Sequence, residues 1–158
     1  MSTLAILDRS VQKTNIWLRD INYELGWFTL QRGYLALRAV LHALRDRLTV
    51  QEVAQFAAEL PIFIRGVYYE GWNPARTPVR SRGKELFLRQ VRADFAHTRN
   101  PDVDAEEITR AIFRVLRKHI SAGELGDIKA LLPKELRALW PAEDKEPAAP
   151  VCEYRAAR

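Results

Sequence analysis

Residues 39–65 read AVLHALRDRLTVQEVAQFAAELPIFIR, and residues 111–137 read AIFRVLRKHISAGELGDIKALLPKELR. A shift of 72 positions places Ala39 on Ala111, Leu44 on Leu116, Arg45 on Arg117, Thr49 on Ser121 and Glu52 on Glu124. The same shift places Ala58 on Ala130, Leu60 on Leu132, Pro61 on Pro133 and Arg65 on Arg137. Each stretch carries apolar side chains at three- and four-residue steps, the spacing of one helix face. Each then shows a hydroxyl followed three residues later by Glu, the signature of a capping box at a helix start. A Leu-Pro pair closes the capped helix in both. Proline suits the first turn of a following helix, because its missing N–H has no intrahelical partner there. Stripe, cap and break agree at one offset, which points to an internal repeat.

Working outward, Val11, Trp17, Leu18, Ile21 and Leu25 stripe a helix that Gly26 can end. A second stripe runs through Leu30, Tyr34, Leu37, Val40, Leu41, Leu44 and Leu48. After the Thr49 cap come Val50, Val53, Phe56, Ala57 and Leu60, and after Pro61 come Ile62, Phe63, Ile64, Val67 and Tyr68. Residues 71–83 read GWNPARTPVRSRG, a connector broken by Pro and Gly. A second series follows. Phe87, Leu88, Val91 and Phe95 stripe one helix, and Asp104 with Glu107 can cap the next, which carries Ile108, Ile112, Val115, Leu116 and Ile120. Leu125, Ile128 and Leu132, then Leu136, Leu139 and Trp140, complete it. The first helices of the halves match at a shift of 70, with Trp17-Leu18-Arg19 over Phe87-Leu88-Arg89.

The fold expected is all-α: two tandem related four-helix units, residues 8–70 and 84–141, packed into one helical-bundle domain. Residues 71–83 join them, and residues 142–158, rich in Pro, Ala and charge, form a disordered tail. One unit of about sixty residues is marginal alone, whereas two can share a core.

Composition narrows the setting. The single cysteine, Cys152, forms neither an internal disulfide nor a Cys-rich zinc site, which favours a reducing compartment. The start, Leu4-Ala5-Ile6-Leu7 followed by Asp8, lacks a basic region and a long apolar stretch, so a signal peptide is not expected. No apolar run approaches the roughly 18 residues of a membrane span. A cytoplasmic protein without membrane partners follows. The net charge of +5 is concentrated: residues 72–99 carry seven basic side chains against Glu85 and Asp94, while the flanks are balanced.

The pattern FLRQV…AEEITRAIFRVLRKHISAGELGDIKALLPKELRALW, its earlier echo, the Leu-Pro break and the YYEGWNP-x-x-TP connector (Tyr68–Pro78) resemble the bacterial family called domain of unknown function 2267 (DUF2267). The resemblance spans roughly residues 10–141. It implies a small all-helical prokaryotic protein associated with stress-related genes, and it implies no catalytic residue.

The residues themselves offer little chemistry. His42, His97 and His119 form no zinc-binding pattern, and the 72-residue shift pairs His42 with Arg114 and His119 with Arg47, a residue type of solvated faces. There is no nucleophile elbow, no phosphate-cradling glycine loop and no Glu-x-x-His pair. Asp20 and Glu24 share a helix face and read as a wet surface beside Arg19. We therefore expect no catalytic residue, no metal and no cofactor. A helix-turn-helix reader at Thr49 or Ser121 is disfavoured, because the second helices, VQEVAQFAAEL and AGELGDIKALL, carry acids and little basic surface.

Trp17 and Trp140 lie on apolar stripes and read as core. Trp72 sits in the connector beside Arg76, Arg80, Arg82 and Lys84, and this group is the candidate binding surface. Those cations could neutralise phosphates, with Trp72 stacking a base. The plainer reading makes Trp72 a pin for the connector and pairs the cations with acids such as Asp102, Asp104, Glu106 and Glu107. The function expected is a non-enzymatic binding or adaptor module for a protein partner. The alternative is nucleic-acid binding through residues 72–99.

Overall fold

The computed structural model describes residues 4–80 and 83–142. Among these the chain is all-helical, with eight α-helices, one 3-10 turn and no strand. They run α1 (Ala5–Leu25), α2 (Leu30–Arg45), α3 (Val50–Ala58), α4 (Ile62–Tyr69), the 3-10 turn Pro74–Arg76, α5 (Lys84–Ala93), α6 (Ala105–His119), α7 (Ala122–Leu131) and α8 (Lys134–Arg137). The tail beyond residue 142 lies outside the described residues.

The predicted punctuation governs the chain locally. Gly26 ends α1 in the left-handed region at φ 66°, with its N–H on the Asn22 carbonyl. A side chain there would be strained, so glycine fits. Thr49 and Glu52 form the full capping box: the Thr49 hydroxyl accepts from the Glu52 amide, and the Glu52 carboxylate accepts from the Thr49 amide at 2.8 Å. At Ser121 the structure gives only the first half, a 3.4 Å bond from the Glu124 amide. Asp104 accepts from both Glu106 and Glu107 amides at 3.0 Å. Pro61 and Pro133 stand one position earlier than expected, as N-cap residues of α4 and α8.

Helix α2 is central and packs on α1, α4, α5 and α6. Its sequence explains why. Gly33, Ala36, Ala39 and Ala43 are buried small residues that admit neighbours closely, while Leu37, Leu41 and Leu44 fill the core. Both halves feed one apolar cluster, with Trp17, Phe56 and Tyr68 from the first and Phe87, Phe113 and Leu116 from the second.

The C-terminal turn of α2 departs from the sequence reading. His42, Arg45 and Arg47 are buried, with Arg45 5% exposed and Arg47 4%. Arg45 donates through Nη1 to the Tyr68 and Glu70 carbonyls, both at 2.8 Å, and through Nε to the Asp46 carboxylate at 2.9 Å. It thereby satisfies carbonyls that the end of α4 leaves open. His42 Nε2 lies 2.7 Å from the Val67 carbonyl. Arg47 donates to the Ala43 carbonyl and the Gln90 side chain, and lies 5.1 Å over the Phe87 ring. The expectation that arginine marks a solvated face therefore fails at positions 45 and 47. Their long stems pack in the core and their planar heads meet acceptors there. In the second half Arg117 donates to the Ala142 carbonyl at 2.8 Å.

Glu24 stays exposed, as expected, and Asp20 is half-buried; what differs from expectation is the set of partners met by the two carboxylates. They face α6 and not Arg19. Asp20 meets Lys118 at 3.0 Å and His119 at 2.7 Å, and Glu24 meets Arg114 at 2.7 Å. The His119 ring stacks on Trp17 at 4.8 Å between centroids. Burial pushes the Asp20 carboxyl up, but hydrogen bonds from Lys118 and His119 outweigh it and hold the group below its usual value.

Two glycines distinguish close packing from open helix. A Cβ on Gly33 would meet Asn22 Oδ1 at 2.7 Å and the Leu18 carbonyl at 3.2 Å, whereas one on Gly66 meets nothing within 4 Å. Gly33→Ala should lower stability by about 1–3 kcal/mol through overpacking. Gly66→Ala, inside α4, should raise it by about 0.5–1 kcal/mol. Urea unfolding of the two variants checks both signs.

His42 makes a pH prediction. Burial is the main cause that lowers its pKa from 6.5, aided by Arg45 and Arg38 and opposed by the Val67 carbonyl. Above the unfolded value neither state binds the proton. Below it the unfolded chain protonates first, so stability falls as pH drops from 6.5 toward the lower folded value. Urea unfolding from pH 7.5 to 5 should show this decline in the native protein and a flatter profile in His42→Gln.

Candidate functional site

The connector was the predicted surface, and the structure divides it. Asn73 caps the 3-10 turn by accepting from the Ala75 amide at 3.0 Å. The Val79 amide donates to the Asp46 carbonyl at 2.8 Å, which fastens the connector to the end of α2. Trp72 is half-buried, with its ring 5.6 Å from that of Tyr69 and its Nε1 donating to Thr77 Oγ1 at 3.3 Å. It packs against the core cluster, as the pin reading expects. These contacts engage part of the ring and its Nε1 within the protein.

The basic residues divide as well. Lys84 pairs with Glu106 of α6 at 2.8 Å, and its amide donates to Glu135 at 3.1 Å. Hydrogen bonds from Lys84 and Arg110 hold the Glu106 carboxyl below its usual value. Arg92 pairs with Glu85 at 2.7 Å. Arg76 and Arg80 are exposed and make no ion pair among the described residues. Arg82 lies outside the described residues. Two of the predicted site residues are thus committed to neighbouring elements, and two stand as exposed cations.

A different surface stands out once the helices are assembled. Val11, Thr14, Asn15 and Leu18 of α1, Leu30, Gln31 and Tyr34 of α2, and Phe63 of α4 line an open groove of about 480 Å³. Among the described residues no charged side chain lines it. Val11 is 54% exposed, Phe63 53% and Leu30 38%. Leu4 and Leu7 precede Val11 at helical spacing and stay exposed, as does Ile62 beside Phe63. The apolar face therefore extends along α1 past the groove. Isolated exposed apolar residues are ordinary, but several of them beside a concavity make this the candidate interaction surface.

Sequence periodicity placed Val11, Ile62 and Phe63 on core stripes and did not separate them from Leu18 or Ile64. The usable signal was the run of apolar residues Leu4, Ile6 and Leu7 ahead of Val11, more than one core-facing stripe requires. Among the described residues no group of three His, Cys, Asp or Glu side chains could hold a metal ion, and no helix is long and apolar enough to cross a membrane.

No curated protein matches the chain in sequence. A family model does match, over residues 14–139, and it covers α1 from Thr14 through to the residues after α8. With that span the chain belongs to the family described as "Uncharacterized conserved protein (DUF2267)".

Proposed function

We propose that the protein is a non-enzymatic docking module whose groove between α1, α2 and α4 takes the apolar face of an amphipathic helix from a partner protein. The observation that carries this reading is the uncharged groove continued by Leu4, Leu7, Val11, Ile62 and Phe63. A partner helix bearing apolar residues at i, i+3, i+4 and i+7 would cover such a strip. Gln31, Asn15 and Thr14 would hydrogen-bond at its edges. We take the setting to be the cytoplasm.

We read the platform beneath the groove as two related four-helix units, α1–α4 and α5–α8. Support comes from contacts that repeat at an offset of 72 residues. Thr49 and Ser121 both cap, Pro61 and Pro133 both open a helix, and Arg45 to Glu70 corresponds to Arg117 to Ala142. Exchanging the halves turns the α1–α6 packing into the α5–α2 packing, both of which occur. The α2–α6 and α3–α7 packings then lie across a pseudo-two-fold axis. Duplication would explain a rigid base, with the docking strip as the part in which α1, 21 residues long, outgrew its counterpart α5, 10 residues long.

Nucleic-acid binding through residues 72–99 is the second reading, and Arg76 and Arg80 favour it as exposed cations. Trp72 counts against its stacking component, since the ring is engaged with Tyr69 and Thr77.

Site-specific photo-crosslinking tests the docking reading. A crosslinking amino acid at Val11 or Phe63 in the native cell should yield a discrete adduct with another protein. The same probe at exposed Gln55 on α3 should not, and Leu7→Glu should abolish the Val11 adduct. Adducts equal at all three positions, or formed only between two copies of this chain, would contradict a partner-docking role.

A further inference from the structure

A second opening lies where the α1–α2 loop meets the end of α5. Gly26, Trp27, Phe28 and Thr29 form one wall, Gln31, Arg32 and Leu35 the base, and Phe95 with residues 97–100 the other wall. Its volume of about 790 Å³ falls in the range of small-molecule sites. It shares only Gln31 with the apolar groove, and its chemistry is different.

The lining is aromatic and cationic. Trp27 and Phe95 meet edge to face at 6.2 Å, closing the base between the two walls. The Arg32 guanidinium lies 4.4 Å over the Trp27 ring and 6.0 Å from the Phe95 centroid. Arg32 makes no ion pair among the described residues, and its buried Nε has no hydrogen-bond partner there. A guanidinium held by rings is positioned to meet an anion through its outer Nη donors. Arg99 and His97 add to the opposite wall, and among the described residues no Asp or Glu lines the opening. Phe28, 99% exposed, stands at the rim with both ring faces free. An aromatic ring left fully in water beside an arginine-lined opening is suited to stacking on a planar ligand.

We propose that this opening binds a nucleotide unit, with its phosphate on Arg32 and Arg99 and its base stacked on Phe28. The same chemistry is presented by a free nucleoside phosphate and by the end of a single strand. The docking reading of the apolar groove is independent of this site, and either can fail alone.

Isothermal titration of the full chain supplies the test, with ATP, AMP, adenosine, inorganic phosphate and a short oligo(dT) as probes, all in EDTA. ATP should bind at least about tenfold more tightly than adenosine or inorganic phosphate, because only it engages both the cations and the ring. Phe28→Ala and Arg99→Ala alter exposed side chains and should leave folding intact, as circular dichroism would check. Each should weaken ATP by about tenfold, the worth of one stacked base or one charge-assisted contact. If oligo(dT) binds and mononucleotides do not, yet both variants weaken it, the site stands and its source is a strand. Absence of saturable binding by ATP and oligo(dT) alike, or binding that neither variant changes, would overturn the proposal.

Discussion

The buried guanidinium of Arg45 is the constraint around which the first half is organised. It leaves α2, the one helix in contact with α1, α4, α5 and α6, and binds the carbonyls of Tyr68 and Glu70 where α4 stops. Helix α4 has no side-chain cap and only eight residues, too few to be stable alone. Its direction is therefore set from outside, by Arg45 and by His42 on Val67. The connector inherits that direction through Trp72 on Tyr69 and Val79 on Asp46. Asp46 does double service, accepting from Arg45 and from Gln90 of α5, so the same turn of α2 ties the two halves.

The proposed docking role rests on what this arrangement covers and what it leaves open. Helix α4, once fixed, presents Phe63 and Ile62 outward beside the N-terminal turns of α1. Among the described residues, α6 meets α1 further along the helix, at Trp17, Asp20 and Glu24. Among the described residues this leaves Leu4, Leu7, Val11, Ile62 and Phe63 exposed beside the groove, which is the basis of the proposed docking role. Rigidity lowers the ordering cost of binding, and an apolar strip supplies the affinity.

Much of the helical order was legible in the sequence, for physical reasons. Apolar spacing, the Thr49–Glu52 box, Gly26 and the two Leu-Pro breaks are local signals, and local structure obeyed them. Where tertiary contact decides, the sequence misled. Arg45 and Arg47 look like surface residues until acceptors from α4 and α5 surround them. Asp20 and Glu24 read as surface carboxylates beside Arg19, but the partners they meet, Lys118, His119 and Arg114, come from α6, far along the chain. Val11 and Phe63 look like core because periodicity reports a face and not the presence of a neighbour. The connector cations were visible as a charge cluster, and the plainer reading names Glu106 as a partner and Trp72 as a pin. What spacing along the chain does not reveal is that Lys84 is the cation that takes Glu106.

The most direct test of this organisation compares two arginines of opposite setting. Urea unfolding of Arg45→Ala should show a loss of about 3 kcal/mol, since two helix-end carbonyls and Asp46 lose a buried charged donor. Arg76→Ala, at an exposed position in the connector, should stay within about 0.5 kcal/mol of the native protein. An Arg45→Ala variant as stable as the native chain would contradict the claim that this guanidinium holds α4 and the connector in place.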